Sequence, residues 1–194
     1  MSDKWNAYAR VNPLGDDAYA AEPVQDRRAS TVADRVVGTV LDVGGGDGYV
    51  ARRIRERGHW VKVIDISTIR VLRCWSDHRI PAESGDATDL KYPDGSYDTV
   101  VLGEVLEHLD NPGKALAEAC RVARKRVVVS LPLNGWADPT HEWRIRLDTV
   151  SDPAQHAEDP TKGEQIVLTF DRGTCWPPDY FTTDPSWAAL YEDA

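Results

Sequence analysis

Three cysteines in 194 residues are too few and too scattered to organise a fold. Cys74, Cys120 and Cys175 form no C-x-x-C pair, which argues against a disulfide framework and a zinc knuckle and makes a reducing, cytoplasmic setting the simple expectation. Long apolar runs are missing too. No stretch approaches the roughly 18 apolar residues of a membrane span, and the opening MSDKWNAYARVNPLGDD has no apolar h-region. Positive charge is scarce: the formal net charge is −9, and residues 101–194 hold 9 basic against 16 acidic side chains. Such a field repels polyanions, so nucleic acid is disfavoured as a partner, whereas small neutral or cationic molecules are easier to accommodate. Two nucleotide signatures are also lacking. No G-x-x-x-x-G-K-[ST] occurs, and the glycine run does not complete G-x-G-x-x-G, because counting from Gly44 the third glycine would fall at Tyr49.

What is present is an alternation. QDRRASTVADRVV places Ala29, Val32, Ala33 and Val36 at helical spacing, predicting a helix over 25–37. Four β-rich runs follow, at 37–43, 60–66, 97–103 and 126–132, with helical patterns such as YVARRIRERG between them. Continuous apolar strands alternating with helices predict an α/β fold, a mostly parallel sheet with helices on both faces. GKALAEACRVARK (113–125) reads as a helix whose basic end, Arg121, Arg124 and Lys125, suits the helix dipole. Segments 142–150 and 164–173 read as an antiparallel edge hairpin near the C-terminus. The parts are then an N-terminal arm and helix (1–35), in which residues 1–25 show no clean period, a main domain (36–173) and an aromatic tail (174–194).

The glycines stand in VLDVGGGDGYVARRI (40–54), at a strand's carboxyl end, where they let the backbone turn sharply and approach a ligand while the next helix points its positive end into the same space. Asp42 precedes them in a D-x-G-x-G-x-G pattern. Further on, Asp65 ends the second β run, and SGDATDLKYPDGSYDTVVLGEVLEHLDNP spans 84–112. Over roughly residues 36–132 this series resembles the class I S-adenosylmethionine-dependent methyltransferases.

That resemblance implies a Rossmann-like fold, S-adenosyl-L-methionine as cofactor, and a set of cofactor contacts. Asp42 with Gly44, Gly46 and Gly48 would take the amino acid end, whose ammonium favours carboxylates. Asp65 would accept the ribose hydroxyls, with Ile66 after it. Asp86 would accept from the adenine amino group with Ala87 at the ring edge, and Gly103 and Glu104 would lie at the methionine end. THEW (140–143) also resembles a segment of the ubiquinone-biosynthesis O-methyltransferases, which favours O-methylation of a small-molecule acceptor and makes His141, with His108, a candidate base.

Other readings stay open. Glu104, Glu107 and His108, at i, i+3 and i+4, would share one helical face and with His141 resemble the metal cluster of small-RNA 2′-O-methyltransferases; the sequence reading favours no metal. A cofactor-binding module without catalysis, acting through a partner, is a third reading. Asp98 is expected to serve structure. The four arginines of RRIRERG are expected to form a solvated helix face, since Val50 and Ile54 mark its buried side. In the tail, Trp187, Leu190 and Tyr191 after Asp184-Pro185 predict a short amphipathic helix that covers the sheet edge, walls a substrate or makes a homodimer contact.

Overall fold

The computed structural model describes residues 2–11, 23–132, 143–145, 165–171 and 191–193. Helices α1 (Ser2–Val11) and α2 (Pro23–Arg35) precede the alternating part: β1 (Val40–Val43), α3 (Tyr49–Glu56), β2 (Val61–Asp65), α4 (Thr68–His78), β3 (Ala82–Ser84), β4 (Tyr97–Gly103), a 3-10 turn (Leu106–His108), α5 (Pro112–Val122) and β5 (Ala123–Pro132). Strands β6 (Trp143–Ile145), β7 (Gln165–Asp171) and β8 (Tyr191–Asp193) follow. The main sheet runs β3-β2-β1-β4-β5-β7, parallel except for the β5·β7 edge pair.

The apolar strands are sorted residue by residue between two cores, because successive side chains leave opposite faces. Leu41, Ile64, Val100, Leu102, Val127 and Val129 face α5, which contributes Ala115, Leu116, Ala119 and Val122. Their neighbours Val40, Val63, Val101 and Val128 face α2, α3 and α4, meeting Val32, Ile54 and Cys74. Helices therefore cover both faces, as the alternation predicts.

Five details depart from the sequence reading. Residues 2–11 are helical, although their aromatics show no simple period; α1 is held by contacts to distant residues rather than by its own pattern. The helix expected over 113–125 ends at Val122, and β5 begins at the next residue. Arg124 and Lys125 thus serve Asp98 instead of a helix end. The antiparallel edge is present, but β7 pairs with β5, while Trp143–Ile145 pairs with Tyr191–Asp193 in a separate two-stranded sheet. Apolar patterning marks strands and is blind to partners. Of the expected tail helix, Tyr191 opens β8 and Trp187 and Leu190 lie outside the described residues. Finally, Cys74 is a free, buried thiol but Cys120 is disulfide-bonded, a link that leaves no local spacing to read.

Asp98 is structural as expected. Its carboxylate accepts from Thr39 N (3.1 Å), Thr39 Oγ1 (3.2 Å) and Arg124 Nη2 (2.7 Å), with Lys125 Nζ at 3.0 Å. The Thr39 amide first, then the two cations, holds its carboxyl well below the usual carboxylate range. A depressed pKa contributes stability above the ordinary value of 3.8 that is lost as pH falls below it. Asp98→Ala is expected to cost about 2–3 kcal/mol at pH 7, less than the sum of its bonds because Arg124 and Lys125 are exposed and rehydrate. Urea midpoints check this, and the gap between variant and parent should narrow in acid.

Candidate active site

At the carboxyl end of β1 the chain turns through Gly44, Gly46 and Gly48 at φ 69°, 58° and 95°. Their need is steric as well as conformational. A Cβ on Gly44 would stand 2.4 Å from Val105 Cγ2, and one on Gly48 would stand 2.7 Å from Cys74 Sγ. Gly48 is the N-cap of α3 and supplies no side-chain hydrogen bond, whereas Ser67 caps α4 and Asn111 caps α5. The N-cap of α3 thus gives its first amides no side-chain acceptor, and the helix dipole makes that place positive.

Two acids frame the turn. Asp65, buried at the end of β2, accepts from Gly46 N (2.9 Å) on Oδ2 and from Ser67 N (2.8 Å) on Oδ1. It ties the turn to the start of α4 and keeps further lone pairs. Burial pushes its carboxyl up, and the two amides pull it back. Asp42, 1 % exposed, has a buried Oδ2 with no hydrogen-bond partner. Desolvation raises its pKa to about 7, with Arg28 pulling down. Orphaned carboxylate oxygens are rare enough to call for an explanation.

Asp86 Oδ1 accepts from Thr88 N and Thr88 Oγ1, both at 2.8 Å, so this Asx-turn leaves Oδ2 for another donor. Ala87 packs on the α5-side core, and Ile66 is half-buried after Asp65. Gly103 ends β4, with room for a Cβ only 3.3 Å from Arg28 Nη1. Glu104 adopts a left-handed φ of 56°, and its amide donates to Ser130 O (3.0 Å).

This conformation overturns the shared helical face of Glu104, Glu107 and His108. Helical backbone is confined to Leu106–His108, Glu107 is fully buried, and His108 lies edge-on to Trp5, with ring centres 5.2 Å apart. Among the described residues no group of three or more His, Cys, Asp or Glu is arranged to hold a metal ion. His141 lies outside the described residues. The arginine run is engaged within the chain: Arg52 with Glu56, Arg53 with Asp26 and Glu56, Arg55 with His78 O, Arg57 with Asp34.

Two residues escape sequence reasoning. Arg28 is buried, donating Nε to Gln25 Oε1 (3.1 Å) and Nη1 to Ser130 Oγ (3.2 Å) beside Gly103. Its signal is visible afterwards: Gln25 and Arg28 fall in phase with Val32 and Val36, polar residues inside an apolar stripe. Asp47, inside the turn, is also buried, with Arg70 Nη1 3.5 Å and Arg73 Nη1 3.9 Å from its Oδ2.

The region 41–131, which contains the turn with Asp42, Asp47, Asp65, Asp86 and Glu104, matches the sequence model of a family described as methyltransferase domain. Residues 41–131 are a methyltransferase domain. The cofactor that goes with this domain is S-adenosylmethionine. A demethylmenaquinone methyltransferase of Mycolicibacterium gilvum is 30% identical over 130 residues, covering 64% of this chain and 55% of that protein. A ubiquinone biosynthesis O-methyltransferase of Paraburkholderia xenovorans is 32% identical over 130 residues, covering 62% and 53%. The chain spans about half the length of the curated relatives it matches. The cyclase SpnF is similar in structure, with a TM-score of 0.52 and 28% identity over 58% of this chain and 47% of that one. The PH0226 protein of Pyrococcus horikoshii OT3, at 14% identity, shares the fold of the methyltransferase domain with a TM-score of 0.59, covering 85% and 98%. No described helix is long and apolar enough to cross a membrane.

Proposed function

We propose that this chain is an S-adenosylmethionine-dependent methyltransferase acting on a small-molecule acceptor, with O-methylation favoured. One observation carries the reading: Asp42, which leads into the glycine turn, has a buried Oδ2 with no hydrogen-bond partner, and the buried Arg28 guanidinium beside Gly103 is near enough to pull its pKa down. An acid and a guanidinium so placed complement a zwitterion, an ammonium with a carboxylate, whereas a pyrophosphate would be repelled by Asp42 and Asp65. Gly44, Gly46 and Gly48 would let the backbone close on the amino acid end. Asp65 would accept the ribose hydroxyls, Ile66 and Ala87 would flank the adenine, and Asp86 Oδ2 would take its amino group. Gly103 and Glu104 would border the methionine end.

When bound, S-adenosylmethionine supplies a methyl group on a sulfonium, open to in-line displacement. The chain's own work is to hold acceptor and methyl collinear and to keep water out. For a hydroxyl acceptor, His141 or His108 would take the proton. O-methylation is supported by the THEW segment and by the relative named as an O-methyltransferase. The acidic surface and the intramolecular engagement of Arg52, Arg53, Arg55 and Arg57 speak for an acceptor other than nucleic acid. The same reading leaves a homodimer contact as one role for residues 174–194.

The test is transfer of labelled methyl from the cofactor to a metabolite panel that includes quinone precursors. Label on a hydroxyl supports the reading. Cofactor binding without transfer to any member would turn it toward a non-catalytic module. Activity is expected to be indifferent to chelators, and loss on chelation with rescue by magnesium or manganese would move the reading to metal-assisted chemistry.

A further inference from the structure

Helix α1 bridges two segments on either side of the glycine turn. Asn6 Oδ1 accepts from Ser67 Oγ (2.9 Å), Thr68 Oγ1 (3.3 Å) and Ile69 N (3.4 Å), just beyond β2. One residue earlier, Trp5 meets His108 edge-on, just beyond β4. Because β1 lies between β2 and β4 in the sheet, these contacts carry α1 across the end of β1, where the turn is. Along the same helix, Ala9 O accepts from Arg73 Nη1 (3.0 Å), and the Arg70 guanidinium sits 5.9 Å from the centre of the Tyr8 ring.

Both arginines lead to one acid. Asp47 is 8% exposed and neither of its oxygens makes a hydrogen bond, yet both guanidiniums lie within 4 Å of Oδ2. Burying a carboxylate is costly, and nearby opposite charges offset that cost. Its charge matters here because it holds two cations that also hold α1.

We propose that Asp47 is a positioning residue that clasps α1 over the cofactor cleft through Arg70 and Arg73, so that the glycine turn and the strap above it open and close together. The link to the cofactor rests on the function proposed above; the link between Asp47 and α1 does not. S-adenosylhomocysteine would leave only when the strap lifts, so the clasp sets its residence time.

Asp47→Asn keeps the shape and removes the charge. In the ligand-free protein, hydrogen exchange of the α1 amides should quicken by about tenfold or more in Asp47→Asn, with the strands unchanged. Asn6→Ala, which cuts the strap from α4 without touching Asp47, should give the same pattern. In stopped-flow with S-adenosylhomocysteine, both variants should raise the dissociation rate by about tenfold while association changes little, and the double variant should fall short of the product of the two. Unchanged α1 exchange in Asp47→Asn overturns the clasp, whatever the ligand result. Faster exchange with an unchanged dissociation rate overturns the gating. Should the parent protein not bind S-adenosylhomocysteine, the function proposed above fails, gating with it, while the exchange result still judges the clasp.

Discussion

Asp65→Ala is expected to weaken S-adenosylmethionine binding by on the order of a hundredfold. Hydrogen bonds to a charged acceptor contribute about 1.5–3 kcal/mol each, and two ribose hydroxyls would lose theirs, against about 1.4 kcal/mol per tenfold in affinity. The structure adds a second loss. The same carboxylate holds Gly46 N and Ser67 N, so the variant loosens the turn and the start of α4 together. Asp65→Asn is no rescue, since its amide must set N–H groups against the Gly46 or the Ser67 amide. Calorimetry with S-adenosylhomocysteine, on variants whose melting temperature shows them folded, checks both. An affinity within threefold of the parent would remove Asp65 from the cofactor site.

The second large effect lies in pH. Asp42 titrates at about 7 in the folded chain against an ordinary 3.8, raised mainly by burial. Below about 7 it is neutral and offers an ammonium little; above it the charge is present. Binding of the cofactor should therefore strengthen as pH rises from 5.5 to 8, by at most about tenfold per unit below the midpoint, and should release a proton near pH 6.5. Stability runs the other way. A carboxyl whose folded pKa is raised contributes stability that is full below 3.8 and declines as pH rises toward 7. Asp42→Asn should thus be more stable than the parent at pH 8 when ligand-free, by a few kcal/mol at most, while binding weakly at every pH. Calorimetry in two buffers of different ionisation enthalpy reads the proton. A pH-independent affinity in the parent would exclude Asp42 as the ammonium's partner.

Much of this was legible in the chain because a period carries it. The β4 strand matches the sequence reading residue for residue at 97–103, since YDTVVLG follows a turn and ends on a glycine. The acids Asp42, Asp65 and Asp86 stand in motifs with fixed spacing from the glycines, so their place at the strand ends follows from the pattern. Partnership was not legible. Nothing local says that 165–171 pairs with β5 and not with the segment before it, or that Arg124 leaves the helix pattern to meet Asp98, 26 residues earlier. Arg28 and α1 were hidden for the same reason. Each is fixed by groups far along the chain, Ser130 and Ser67 among them, and no window of sequence contains both ends of such a contact.

The two ends of the main sheet differ in a way that bears on how the molecule would report its ligands. Where β1 and β5 begin, Asp98 is saturated with donors; where β1 ends, Asp42 has an idle oxygen and α3 begins without a side-chain cap. On the function proposed above, a bound cofactor would supply partners to that second end from inside the fold. A finishing ligand shifts unfolding as a structural part would, by RT ln(1 + [L]/Kd), about 2.7 kcal/mol at a hundredfold excess over Kd. Thermal melting is therefore a direct assay for this protein. The compounds that raise its melting temperature most should be those carrying an ammonium and a carboxylate on one carbon.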